Sequence, residues 1–217
     1  MPAEKKLYVL SPLAYDYIDG KTGGGTKARC DAVKAWLRLK EIHYLYEDEY
    51  FSPHNCIIVL TAGYQKENPS VRSSERTSLA SQQAKYLKSI LVNDFEGIDF
   101  IVRPHVWGTE HEIAATLEIA ELECELKGIL PQNVEFVFCS NPLHLYFRVD
   151  LWWWALSKKY GWTEKHLVPA PHQSFSWKER FQEVFVKIPV TAYLTLLQVL
   201  EAKKMEIKRS FGSPFEV

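Results

Sequence analysis

Five short apolar runs, each separated from the next by a stretch with helical spacing, constrain this chain more than any other feature. The runs are Leu7–Leu10, Cys56–Thr61, Asp99–Arg103, Val134–Cys139 and His166–Pro169. Most are continuous rather than alternating: Ile57 to Leu60 and Val134 to Phe138 are largely β-branched or aromatic on both faces, as strands covered by helices on both sides must be. Between them lie apolar stripes at helical intervals, namely Ala28, Ala32, Ala35 and Leu39, then Ala80, Ala84, Leu87 and Leu91, then Ile113, Leu117, Ala120 and Cys124. Alternating strand and helix predicts stacked βαβ units with right-handed crossovers. The expected fold is therefore α/β, a Rossmann-like doubly wound sheet of about five mainly parallel strands with helices on both faces.

At 217 residues, 47% of them hydrophobic and 24% charged, the chain suits one α/β core and carries too little polar bias for extended disorder. A single domain over residues 1–217 is the expectation, with a C-terminal helical segment over residues 177–205 packed on it. Pro189 falls inside that segment, where its missing N–H is expected to kink or split the helix. Consecutive tryptophans at 152, 153 and 154, in a helix expected from Pro142 to about Lys159, cannot share one helical face. At least one indole must leave the main core, to be covered by the C-terminal helix, to wall a ligand site or to form a homodimer contact.

The net charge of -1 offers no basic excess for nucleic acid. Cys30, Cys56, Cys124 and Cys139 are widely spaced without a CxxC pair and read as reduced thiols. Only Leu7 to Ser11 runs before Pro12, too short for a signal peptide's apolar core, and the longest later apolar stretch, Leu151 to Leu156, is far short of the about 20 residues of a membrane span. A cytoplasmic protein with no membrane span is expected. The seven histidines show neither HxH nor HExxH spacing, so no metal site is predicted.

In an open parallel sheet, ligands bind beyond the carboxyl ends of the strands. The residues there include Gly23, Gly24, Gly25 and Arg29 after the first run, and Thr61 and Gly63 at the end of the second. The third contributes Gly108, Thr109 and Glu112, and the fourth Ser140, Asn141, His144 and Arg148. The glycines suit either a flexible loop or a backbone nest for an anion. Thr109-Glu110-His111-Glu112 fits a capping box, and Asn141-Pro142 reads as an N-cap with proline at the first helical position. His144 and Arg148, four apart on one helical face, suit proton exchange and an anion clamp. Cys139, the last apolar residue of its strand, reads as a buried thiol rather than a nucleophile.

Arg29, Thr61-Ala62-Gly63, Thr109 with Glu112, and Cys139-Ser140 with His144 and Arg148 together resemble, in order, the pattern of the SanA/ElyC/YdcF family of Rossmann-like bacterial domains. The likeness spans about residues 7–190 and describes a divergent member. The family's glutamate at the start of the second helix would fall near Leu79, with Glu75 one turn earlier. Its asparagine after the third strand is replaced by Glu112, and its His and Arg are normally three apart. The resemblance implies a nucleotide-like or otherwise anionic small-molecule ligand, S-adenosylmethionine among the candidates, and in some members a link to cell-envelope metabolism. Many members carry an N-terminal membrane anchor.

The leading expectation is an enzyme in which Arg29 and Arg148 hold an anionic group, Gly63 and Ser140 offer close backbone contact, and His144 exchanges a proton. Gly108-Thr109 with Glu112 also resembles the GTxxE element of nucleoside deoxyribosyltransferase-like folds, where a glutamate attacks a sugar carbon; the Ser140–Arg148 segment speaks against that alternative. A ligand sensor using the same strand ends without turnover is the third reading.

Overall fold

The computed structural model describes residues 6–13, 17–18, 21–22, 24–44, 51–63, 78–106, 108–170, 181 and 183–210. Its elements run β1 (Leu7–Pro12), β2 (Tyr17–Ile18), β3 (Lys21–Thr22), α1 (Gly24–Tyr44), β4 (Cys56–Ala62), α2 (Leu79–Leu91), β5 (Asp99–Val106), α3 (Thr109–Lys127) and β6 (Val134–Ser140). A π-helical turn (His144–Val149) then leads into α4 (Asp150–Leu156), followed by β7 (Lys165–Pro169), a second π turn (Glu183–Lys187) and α5 (Ile188–Ser210).

Five strands form one sheet in the order β5-β4-β1-β6-β7, with every neighbouring pair parallel. This is the doubly wound, Rossmann-like α/β arrangement expected from the alternation of elements. From β1 the chain builds outward through β4 to β5, then crosses back to lay β6 on the other flank of β1. The direction of winding therefore reverses between β1 and β6, and the carboxyl ends of those two strands flank the crevice of the fold.

Side chains alternate across the sheet and build a core on each face. Leu7, Val9, Ile57, Phe136 and Phe138 pack with α3 and α4, whereas Tyr8, Leu10, Ile58, Leu60 and Val137 pack with α1 and α2. The second and third predicted stripes are buried as expected. The first is buried only in part: Ala32 is buried and Ala28 half-buried, but Ala35 is exposed and Leu39 is 67% exposed, while Cys30, Val33, Trp36 and Leu37 face the sheet. Large side chains set the rotation of α1, and the alanines, which gain little from burial, follow.

Two tight turns of matching composition, Pro53–Asn55 and Pro131–Asn133, feed β4 and β6, each closed by the first strand residue's N–H donating to the proline carbonyl. The capping box is not formed. Gly108 occupies the N-cap of α3 at φ 91°, a backbone only glycine adopts without strain, so Thr109 is the first helical residue and its hydroxyl is released for another partner. Pro189 is the second residue of α5, directly after the π turn, so the predicted break comes at the head of this helix rather than within it. Residues 177–180 of the expected C-terminal segment lie outside the described residues.

Of the three tryptophans, Trp152 and Trp153 are buried. Trp153 meets Phe136 and Phe138 edge-on at 5.0 and 5.8 Å between ring centres. The expectation that the C-terminal helix covers the third indole is not met: α5 packs on α4, yet Trp154 stays 47% exposed, with the Lys158 ammonium 4.5 Å from its ring centre. No described helix is long and apolar enough to cross a membrane.

Candidate functional site

His144 lies at the carboxyl end of β6, beside the point where the winding reverses. Asn141 caps the helical segment that follows: its side-chain Oδ1 accepts from the His144 backbone N–H at 2.9 Å, and its carbonyl accepts from the Leu145 N–H. The predicted N-cap is thus present, and it fixes the start of the turn that carries the imidazole.

Both ring nitrogens of His144 face hydroxyls. Nε2 lies 2.7 Å from Thr109 Oγ1 at the head of α3, and Nδ1 lies 2.8 Å from Ser140 Oγ at the end of β6. All three side chains are buried. Burial, followed by the positive charges of Arg29, Arg148 and Lys187, holds the His144 pKa well below the usual histidine value, so the ring is neutral near pH 7. A neutral imidazole has one N–H and one lone-pair nitrogen, so one hydroxyl donates to the ring and the other accepts from it. The accepting hydroxyl keeps its own hydrogen for a further partner. The arrangement is a hydroxyl–imidazole–hydroxyl chain along which a proton can pass.

Arg29 is 1% exposed and donates from one guanidinium nitrogen to the Leu13 carbonyl at 2.7 Å, holding the exit of β1. Gln83 of α2, also buried, donates to the Pro12 carbonyl at 2.7 Å. Two side chains therefore brace the end of β1 opposite Ser140. Gln83 was missed in the sequence; its signal is a polar residue inside the stripe Ala80, Ala84, Leu87, and no apolar contact explains it there. Lys187 was missed as well, because it comes from the second π turn and nothing local to it points back to β6.

The π turn over His144–Val149 widens the helix so that its bonds run from i to i+5, and residues four and five apart become neighbours. Arg148 is thereby kept close to His144 despite the altered winding. Single π turns inside helices occur often at functional sites. Glu112, buried on the first turn of α3, follows Thr109 by three positions.

The remaining predicted residues are placed as follows. Gly24 and Gly25 form the first turn of α1 rather than a loop nest, Gly24 exposed and Gly25 buried; Gly23 lies outside the described residues. Because α1 runs antiparallel to the strands, its N-terminal N–H groups sit at the same edge of the sheet. Thr61 and Gly63 lie at the end of β4, the Gly63 carbonyl accepting from the Leu79 N–H that begins α2. Cys139 points to the opposite face from Ser140, into the α1 and α2 core, and burial pushes its thiol well up, so it is an inert packing residue. Among the described residues no cluster of histidine, cysteine, aspartate and glutamate is suited to a metal ion.

A groove of about 390 Å³ lies elsewhere, at the sheet edge between β5 and α3, lined by Ile101, Ile119, Leu122 and Leu126 with Arg103, Glu123 and Glu125 around them. It holds none of the residues gathered around His144.

No family model, curated protein or solved structure matches the chain.

Proposed function

We propose that the chain is a small-molecule-binding protein of the cytoplasm, acting as an enzyme on a nucleotide-like or otherwise anionic ligand held where β1 and β6 end. The observation that carries this reading is the buried, neutral His144 hydrogen-bonded at both ring nitrogens, with Arg29, Arg148 and Lys187 as the charges that act on it. A purely structural histidine needs its nitrogens satisfied, and the positive charges that act on His144 only make its protonated form costlier. Those cations favour a ligand carrying a phosphate or carboxylate. In this mechanism Arg148 holds the anionic group, Arg29 supplies positive potential from behind the β1 exit, and His144 moves a proton between ligand and hydroxyl. The likeness to the SanA/ElyC/YdcF pattern supports the same location and keeps S-adenosylmethionine among the ligands to test.

A thermal-shift screen of nucleotides, S-adenosylmethionine and sugar phosphates tests the reading. A ligand at 100 times its dissociation constant stabilises the fold by about 2.7 kcal/mol. The screen is expected to yield at least one such ligand, and His144→Ala to retain its binding while losing turnover. A screen in which nothing shifts the melting point removes the proposal's support. Binding without turnover in the wild type makes the protein a sensor instead.

One observation favours a second reading, glycosyl transfer with Glu112 as nucleophile: Glu112 is 7% exposed rather than solvated, as a reactive carboxylate beside a sugar would be. Incubation with nucleosides decides it, since free base must appear if Glu112 attacks the sugar carbon and none appears otherwise.

A further inference from the structure

The C-terminal helix is packed inside out. On α5, Thr191 and Thr195 are 5% and 2% exposed, while Val190, Tyr193, Leu194, Leu196 and Leu197, with Phe185 just before the helix, are between 38% and 64% exposed. A helix that packs through its threonines and shows aliphatic and aromatic residues outward has its main contact surface still to meet. We propose that this outer face of α5 is the interface of a homodimer, in which two copies pack their α5 helices antiparallel.

Area, shape and charge point to a second copy. The six residues named, with the valines on either side of Phe185, expose roughly 700 Å² of side chain, above the largest apolar patch of a typical monomer and near the ~800 Å² each partner gives a standard interface. At 23 residues, α5 is about 35 Å long, enough for a continuous helix pair. An antiparallel pair centred between Tyr193 and Leu194 sets Val190 opposite Leu197 of the other copy. A net charge of -1 per chain raises no long-range barrier to pairing.

A lipid surface fits less well. Interfacial helices set a basic face against one apolar face, whereas the inner face of α5 presents threonines and the sequence has no basic residue between Lys187 and Lys203. The dimer contact expected of the Trp-rich helix is thus transferred to its neighbour, since α5 packs on α4.

Sedimentation equilibrium of the full chain, from micromolar to hundred-micromolar concentration, tests the proposal. The expected mass is twice 25.2 kDa. Leu194→Glu is expected to weaken the dimer about 100-fold, as loss of a central interface residue does, with the circular dichroism spectrum of a folded chain. If Leu194→Glu does not fold, Tyr193→Lys, at a more exposed position, serves in its place. A wild type that sediments at 25.2 kDa at every concentration overturns the proposal. So does a dimer indifferent to both interface variants, or a monomer that co-sediments with phosphatidylglycerol vesicles.

Discussion

His144 is a titratable group held where a charge is costly, and that gives it a signature in solution. Its pKa is depressed in the folded chain, by burial first and then by Arg29, Arg148 and Lys187. An unfolded histidine binds a proton below about pH 6.5. As the pH falls through that value the unfolded state takes up a proton that the native state refuses, so stability declines, by at most about 1.4 kcal/mol per pH unit for this one group. Urea denaturation at pH 7.0 and 5.5 is expected to show a smaller loss in His144→Asn than in the wild type, although the variant is less stable at pH 7.0. Parallel losses would mean that the ring is not held neutral.

Glu135 works in the opposite sense and at the opposite edge of the sheet. Burial alone would raise its pKa; hydrogen bonds from His166 and Lys40, both at 3.1 Å, and the charges of Lys40 and Lys6 bring it instead down to about 2. A carboxylate lowered from 4.5 to about 2 contributes about 3 kcal/mol at neutral pH, fully present above 4.5 and lost as the pH falls towards 2. Glu135→Gln is therefore expected to cost about 2–3 kcal/mol at pH 7 and far less at pH 2.5, measured by urea denaturation. An equal cost at both values would assign the loss to packing.

The three tryptophans divide α4 into a buried and an exposed side. Trp153→Ala removes an indole wedged against Phe136 and Phe138 and is expected to cost about 3–5 kcal/mol. Trp154→Ala, one position on, should change stability by well under 1 kcal/mol, because its ring is 47% exposed. Chemical denaturation of the two variants separates them, and equal costs would mean that the helix is rotated differently. Much at this scale was legible in the sequence. All five sheet strands lie within three residues of their predicted ends, because a strand covered on both faces has a continuous apolar signature. The rotation of α1 was not, since alanines at helical spacing mimic a core stripe that Cys30, Val33, Trp36 and Leu37 outweigh by size. The β2–β3 pair was passed over despite the Asp19-Gly20 between its strands, a strong hairpin signal.

At the scale of the whole molecule, the site is a product of strand order. Ser140, Thr109 and Arg29 are far apart in sequence, and they meet at one edge because β6 returns to lie beside β1. No local pattern encodes that return, which depends on pairing 127 positions apart between Leu7 and Val134. The rim residues could be gathered from a general property of parallel sheets, and the Asn141 cap and the residues around His144 were readable in advance. The hydroxyl pair on the imidazole was not, because the same Thr109 hydroxyl fits a helix cap equally well until Gly108 takes that position.

In the proposed function a small anionic ligand binds where β1 and β6 end, against His144. The most direct test is nuclear magnetic resonance titration of the chain with a ligand from the screen, following the His144 ring nitrogens and the backbone amides of Leu13, Gly25 and Asn141. The largest shifts are expected on those groups, and are expected to disappear in Arg148→Ala. Shifts concentrated on Ile101, Leu122 and Leu126, at the groove beside β5, would contradict it.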